Sequence, residues 1–208
     1  MRNKPARSGR AHAGPARQVR IIGGQWKRTP LPVLDAEGLR PTPDRVRETV
    51  FNWIGHFVGN DWTPLRCLDL FAGTGALGFE AASRGAQAVT MVESGMPALR
   101  QLQANQAKLD ARQVNIVRGD ALAVLQSLQS RGERYDLIFL DPPYHQDWLV
   151  KILPLCEPLL NVSGMVYAEA EMPLDPASGA DWLQRWEVLR NDRAGMVFYH
   201  LLRRNSPP

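Results

Sequence analysis

Only two cysteines, Cys67 and Cys156, and four histidines are spread through 208 residues. So few thiols exclude a disulfide-built scaffold, and the absence of closely spaced Cys and His pairs argues against a metal centre. One cysteine falls in an expected first strand and the other in a late helix, the pattern of buried free thiols in a reducing cytosol, so a cytoplasmic location is expected. The scattered histidines give no support to a nucleophilic triad. No run of eighteen apolar residues occurs, which excludes a conventional membrane-spanning helix. No repeat at a period of roughly 20–50 residues is visible, which excludes a solenoid.

The most informative absence is of acids. Residues 1–34 hold none, against eight bases: Arg2, Lys4, Arg7, Arg10, Arg17, Arg20, Lys27 and Arg28. The remainder has 17 bases and 21 acids, a net charge of −4, so the overall +4 belongs to a basic arm on a mildly acidic body. Such an arm suits a polyanion, which it would engage through phosphates and counterion release; a merely solubilising tail is the alternative. A transit peptide is disfavoured because Pro5, Gly9, Gly14 and Pro15 interrupt any amphipathic helix.

With 44% hydrophobic residues, the chain can bury one substantial core with a small appendage. The stretch Leu65–Gly85, LRCLDLFAGTGALGFEAASRG, reads as a strand, a tight turn and a small-residue helix. Leu65, Cys67, Leu68, Leu70 and Phe71 form the apolar run of a strand covered on both faces. Gly73, Gly75 and Gly78 then let a ligand approach the backbone. Their spacing matches the dinucleotide fingerprint G-x-G-x-x-G. However, Asp69 precedes the turn, where a carboxylate repels a pyrophosphate and pairs with an ammonium. That favours S-adenosylmethionine as the ligand.

The chain before this stretch is expected to comprise a disordered tail (1–17) and a hairpin-plus-helix extension (18–60), with the catalytic domain at 61–208. Strands around Val19–Ile22 and Gln25–Leu31 are expected to meet at Gly23-Gly24. Leu39-Arg40-Pro41-Thr42-Pro43-Asp44 reads as a helix start, with Thr42 as cap and Pro43 in the first position. Val46, Val50, Trp53, Ile54 and Phe57 give that helix one apolar face, while Arg20, Lys27, Arg28, Arg45 and Arg47 are candidate phosphate contacts.

After the glycine turn, strands and helices alternate, which predicts a mostly parallel, doubly wound sheet. Strand Ala88–Glu93 ends in Glu93, about twenty residues past the turn, where an acid characteristically takes ribose hydroxyls. A helix over 97–109 and a strand at Val114–Val117 follow. Asp120-Ala121 opens the next helix, Asp120 either capping it or reaching an adenine amino group. Tyr135–Leu140 leads into Asp141-Pro142-Pro143-Tyr144.

This tetrapeptide presents acceptors, because its prolines lack N–H groups and leave the Asp141 carboxylate and the Pro142 carbonyl at a strand end. An exocyclic amino group could donate to both, aiming its lone pair at an electrophilic methyl, while Tyr144 stacks on the base for about 1–3 kcal/mol. A proline turn with Tyr144 as rim packing is the plain alternative. Further on, a helix over 148–160 interrupted at Pro154 and Pro158, a strand at Gly164–Glu169, an exposed acidic run over 169–175, and a closing hairpin of Leu183–Leu189 and Met196–Leu202 are expected. His145, next to the tetrapeptide, could touch substrate.

DLFAGTGALG, Glu93, Asp120 and DPPY in this order resemble the class I S-adenosylmethionine methyltransferases that modify exocyclic amino groups. RIIGGQWKRTPLPV followed by LRPTPDRVRETVFNWI narrows the likeness to the bacterial small-subunit ribosomal RNA guanine-N2 methyltransferases (RsmD type). The resemblance implies an α/β, Rossmann-like fold with a seven-stranded sheet, helices on both faces, and a small N-terminal hairpin and helix. It further implies methyl transfer to N2 of one guanine of 16S ribosomal RNA by a monomer, on an assembled or partly assembled 30S subunit, with ribosomal proteins near the target. Asp69, Phe71, Ala72, Gly73 and Gly75 would then line the methionine side, Glu93 the ribose, and Asp120 and Ala121 the adenine. Asp141, Pro142 and Tyr144 would hold the guanine. The basic arm and Thr74, where serine is frequent, depart mildly from the pattern. A DNA adenine-N6 methyltransferase and a non-catalytic RNA-binding module are the rival classes; the first often carries a recognition domain for which this chain has no room, and the second leaves the acids around the glycine turn unexplained.

Overall fold

The computed structural model describes residues 18–33 and 42–205. The basic tail and the expected Leu39-Arg40-Pro41 approach to the first helix lie outside the described residues.

The central sheet has seven strands in the order β5-β4-β3-β6-β7-β9-β8. Strands β3 (Arg66–Asp69), β4 (Ala88–Glu93), β5 (Val114–Arg118), β6 (Tyr135–Leu140) and β7 (Leu160–Ala170) run parallel. Strands β8 (Trp186–Ala194) and β9 (Val197–Arg204) form an antiparallel hairpin, with β9 antiparallel to β7. This is the doubly wound α/β sheet that the alternation predicted. Strand order reverses between β3 and β6, so the C-terminal ends of these two neighbours flank a crevice, the usual ligand position in such sheets.

The strands read as continuous apolar runs because both faces are covered. On one face Cys67, Met91, Leu137 and Phe139 pack against Phe79 of α2 (Ala76–Arg84), Leu102 of α3 (Met96–Leu109) and Val50, Phe51 and Ile54 of α1 (Asp44–Phe57). On the other, Leu68, Leu70, Ile138 and Val166 meet Leu125 and Leu128 of α4 (Ala121–Ser130) and Ile152 and Leu153 of α5 (Trp148–Cys156). Alternate residues of β3 thus enter different cores. Helix α1 belongs to the first: Phe51 stacks on Trp62 and meets Phe139, and Trp53 stacks on Tyr199.

Several boundaries differ from the sequence expectation. The hairpin consists of β1 (Gln18–Arg20) and β2 (Pro30–Pro32), with a wide turn in which the Ile21 N–H donates to Thr29 O and the Arg28 N–H to Ile21 O. The second strand begins at Pro30 and not Gln25 because residues 22–26 are taken up by α2: the Ile22 and Gly23 amides donate to Glu80 at 2.6 and 2.8 Å, and the Trp26 amide to Ser83 Oγ at 3.0 Å. Helix α1 starts at Asp44 with Pro43 at its N-cap, and no side chain caps it. Helix α5 runs through Pro154 to Cys156, followed by a 3-10 turn at Glu157–Leu159. Strand β7 extends to both sides of its expected span, and the β8–β9 turn lies at Gly195-Met196. Cys67 and Cys156 are both buried and free.

Candidate functional site

The glycine turn joins β3 to α2 at the crevice. Gly75 is the N-cap of α2 with φ +80°, and a Cβ there would lie 2.5 Å from the Phe79 ring. A Cβ on Gly78 would lie 2.5 Å from Met91 Cε and 3.1 Å from Asp69 Oδ2. Both positions therefore demand glycine, one for conformation and one for close packing.

Asp69 is enclosed at the end of β3, and its Oδ2 accepts the Gly78 N–H at 3.0 Å. Its Oδ1 has no hydrogen-bond partner among the described residues. Burial raises Asp69 from an ordinary 3.8 to about 7; the Gly78 amide and, through a contact short of ordinary hydrogen-bond geometry, the Phe71 amide oppose the rise, and the Glu93 charge adds to it. An incompletely satisfied buried carboxylate beside a glycine turn is suited to a cationic group.

Glu93, at the end of β4, accepts the Gly73 N–H through Oε2 at 2.9 Å and the Gly95 N–H through Oε1 at 2.6 Å. It clamps the glycine turn while each oxygen keeps a lone pair for a hydroxyl donor. Asp120 caps α4: its Oδ1 accepts the Leu122 and Ala123 amides at 3.0 and 3.1 Å. Phe71 meets Trp148 edge-on at 5.4 Å, closing one side of the turn.

The Asp141 segment leaves β6 beside this turn, since Asp69 and Phe139 are register partners on adjacent strands. Pro142 is buried, whereas Pro143 and Tyr144 are exposed. Asp141 is half-buried, and its Oδ2 lies 3.3 Å from Thr42 Oγ1. Thr42 Oγ1 is also 2.7 Å from Glu169 Oε1, which accepts the Tyr167 hydroxyl at 2.8 Å. Burial and then the charges of Glu169 and Asp69 push Asp141 well above the usual carboxylate range. Burial raises Glu169 too, against the hydrogen bonds from Thr42 and Tyr167.

A glycine turn with two acids thus lies one strand away from an acid-proline-proline-aromatic segment. Comparison with known proteins identifies the family. The family described as "Conserved hypothetical protein 95" matches residues 19–203. The ribosomal RNA small subunit methyltransferase D of Escherichia coli K12 is 38% identical over 201 residues, covering 94% of each chain. The chain belongs to the ribosomal RNA small subunit methyltransferase D family. The Haemophilus influenzae protein of that name is 37% identical over 188 residues, covering 88% of this chain and 93% of its own. A solved structure titled as a putative methyltransferase, yhhF, from Escherichia coli superposes with a TM-score of 0.75 at 37% identity, covering 90% of this chain and 98% of that one.

Within this methyltransferase fold, the candidate phosphate contacts divide. Arg20, Lys27, Arg28 and Arg45 are exposed. Arg47 is not: it is fully enclosed, donating to Thr42 O at 3.3 Å, Arg20 O at 2.8 Å and Asp44 Oδ1 at 2.7 Å. The expectation that Arg47 meets RNA is corrected, because its helical position faces the joint between α1 and the hairpin. Arg20 pairs with Asp44 from the exposed side at 3.4 Å. His145 is held by Glu171, which accepts its backbone N–H and lies 2.9 Å from its Nδ1.

Two residues of the site escaped the sequence reading. Thr42, expected to cap α1, turns instead into the interior to meet Asp141 and Glu169. Glu169, expected in an exposed acidic run, is buried. The signal for Glu169 was present in GMVYAEA, where an acid interrupts an otherwise apolar buried strand; such an acid must be paired or functional.

Proposed function

We propose that this protein transfers a methyl group from S-adenosylmethionine to the exocyclic N2 of a guanine in 16S ribosomal RNA, on an assembled or partly assembled 30S subunit. The observation that carries the proposal is the meeting of Asp141-Pro142-Pro143-Tyr144 with the glycine turn at the switch point of the sheet. The names of the relatives, small-subunit ribosomal RNA methyltransferases, support the substrate class.

The donor pocket fits the cofactor on three counts. Asp69 Oδ1 is available to an ammonium, Glu93 to a ribose diol, and Gly75 and Gly78 keep the turn clear of side chains. S-adenosylmethionine supplies, when bound, a sulfonium-activated methyl with a good leaving group. Asp120 and Ala121, at the opening of α4, would border the adenine. The protein's own work is to orient the acceptor. The Asp141 carboxylate and the Pro142 carbonyl take the two amino hydrogens, so the nitrogen lone pair points at the methyl, and Tyr144 stacks on the base. Positioning of this kind can supply about 7–11 kcal/mol of a displacement barrier. Arg20, Lys27, Arg28 and Arg45 would hold phosphates on the adjoining surface.

The test presents tritiated S-adenosylmethionine with 30S particles, naked 16S RNA and duplex DNA. The proposal expects methyl incorporation into the ribosomal substrates and none into DNA. Transfer to DNA adenine alone would select the rival enzyme, and no transfer to any substrate would leave only a binding module.

A further inference from the structure

The site contains more hydrogen-bonded contacts than its hydroxyl groups can fill. Three oxygen pairs connect Asp141 Oδ2, Thr42 Oγ1, Glu169 Oε1 and Tyr167 Oη, at 3.3, 2.7 and 2.8 Å. Each contact needs one proton, and the Thr42 and Tyr167 hydroxyls bring two. The two short contacts take those two protons; an ionised carboxylate only accepts, so a hydrogen bond across the longer 3.3 Å gap to Asp141 requires a proton on one of the two carboxyls. Thr42, Glu169 and Tyr167 are all buried, and water cannot provide it cheaply there.

Resting on the methyl-transfer reading above, we infer that Asp141 and Glu169 hold one proton between them through the Thr42 hydroxyl, and that seating it on Glu169 keeps Asp141 ionised toward the acceptor amine. Two arrangements satisfy the same contacts. In one, Asp141 donates to Thr42 and Thr42 to Glu169. In the other, Glu169 donates to Thr42 and Thr42 to Asp141. They differ only in the direction of two O–H bonds, so the Thr42 hydroxyl interconverts them by giving up one proton as it takes another.

The second arrangement is the reactive one. An ionised Asp141 accepts an amino hydrogen, whereas a protonated one would compete with it. As the guanine nitrogen bonds to the methyl carbon, the carbon–sulfur bond breaks and its electron pair leaves with sulfur. The nitrogen becomes cationic and must lose one proton. Asp141 takes it, and its half-exposed edge returns it to solvent once the product leaves. Glu169 never touches the acceptor: it is a positioning residue that acts through Thr42.

The electrostatic surroundings favour a shared proton. Asp141 faces Glu169 on β7 and Asp69 on β3, and Asp69 faces Glu93 on β4. Tyr167 faces the charges of Glu169 and Asp141 and the Tyr199 hydroxyl of β9. The guanidinium of Arg47 donates to the Thr42 and Arg20 carbonyls and to Asp44, its Nη1 has no partner among the described residues, and it forms no ion pair with Asp141 or Glu169 there. Two ionised carboxylates bridged by one hydroxyl would repel without compensation, and both acids are raised above their ordinary range as a result of burial and, for Asp141, of this proximity.

The test compares the full-length enzyme with Glu169→Gln, Thr42→Val and Thr42→Ser on 30S particles. The Glu169→Gln change puts a permanent neutral donor where the reactive arrangement has a protonated carboxyl, so the acid limb of the kcat profile should stay within about half a pH unit of wild type while the alkaline limb, where the pair gives up its shared proton, moves up by about one pH unit or more. Thr42→Val should lower kcat by about tenfold or more at unchanged KM for S-adenosylmethionine, with Thr42→Ser restoring it. An alkaline limb unmoved by Glu169→Gln, or full kcat in Thr42→Val, would overturn the inference. Infrared spectra of the unliganded protein provide a readout independent of RNA methylation. In an Asp69→Asn background, which removes the other raised carboxyl, a protonated-carboxylic C=O band at neutral pH that is lost on adding Glu169→Gln supports the shared proton even if the substrate reading fails; absence of that band in the Asp69→Asn protein refutes it.

Discussion

Replacing Asp69 by asparagine should stabilise the unliganded protein while weakening its hold on the cofactor. The carboxylate is enclosed, with one oxygen on the Gly78 amide and the other without a partner among the described residues. An asparagine can still accept from Gly78 through its carbonyl oxygen, while its NH2 gives up the weaker Phe71 amide contact at every pH, so the pH-dependent part of the change isolates the loss of a charge. Burial raises Asp69 from 3.8 to about 7. Because the folded value lies above the unfolded one, the contribution of Asp69 to stability is complete below about pH 4 and is lost as pH rises through about 7. At about 1.36 kcal/mol for each tenfold change in proton affinity, the cost of ionisation approaches about 4 kcal/mol at pH 8. Urea denaturation at pH 5, 7 and 8 should therefore show the Asp69→Asn variant gaining on wild type as pH rises. The same replacement removes a charge-assisted partner for the ligand ammonium, a loss of at least about 2 kcal/mol, or about thirtyfold in affinity for S-adenosylhomocysteine by calorimetry. Wild-type affinity should rise about fivefold from pH 6 to 7 as Asp69 ionises, with proton release on binding. A stability gap that does not vary with pH, or an Asp69→Asn variant that binds as tightly as wild type, would refute the assignment of Asp69 to the ammonium.

Gly75→Ala places a Cβ at φ +80° and 2.5 Å from Phe79, so it should cost about 2–4 kcal/mol in chemical denaturation and abolish cofactor binding. Glu80→Ala strips the acceptor from the Ile22 and Gly23 amides and the partner from Arg84 at 2.8 Å; hydrogen exchange at those two amides should accelerate and stability fall by about 2–4 kcal/mol. Lys27→Ala and Arg45→Ala should leave the melting temperature unchanged and each lower the salt slope of 30S binding by about 1 if they hold phosphates, whereas Arg47→Ala should lose about 3 kcal/mol of stability through the buried partners left behind.

The fold was legible where one residue pattern has one physical solution. An apolar run that breaks into Gly73, Gly75 and Gly78 has to turn, and the regular alternation after it has to build a parallel sheet covered on both faces. Asp69, Glu93 and Asp141 stand out as candidates because acids at strand ends are seldom needed for packing. Residues whose role depends on what packs against them were not legible. Arg47 looks like any surface base on an amphipathic helix, until the hairpin folds across it and Arg20 O becomes its partner. Thr42 has the local features of a helix cap, but the β6 and β7 ends bring two carboxyls to its hydroxyl from 99 and 127 residues away. The second strand of the hairpin slipped to Pro30 for a related reason, since Glu80 and Ser83 outcompete a β ladder for the amides of Ile22, Gly23 and Trp26.

The central claim is that Asp141 and its prolines orient a guanine N2 toward the methyl group. It is tested most directly by digesting 16S RNA from a deletion strain, complemented with wild-type or Asp141→Ala protein, to nucleosides for mass spectrometry. The account predicts one N2-methylguanosine restored by wild type. It also predicts a methylation rate lowered at least about a hundredfold in purified Asp141→Ala, which should still bind S-adenosylhomocysteine. Methylation at another atom or base, or an undiminished rate in Asp141→Ala, would contradict it.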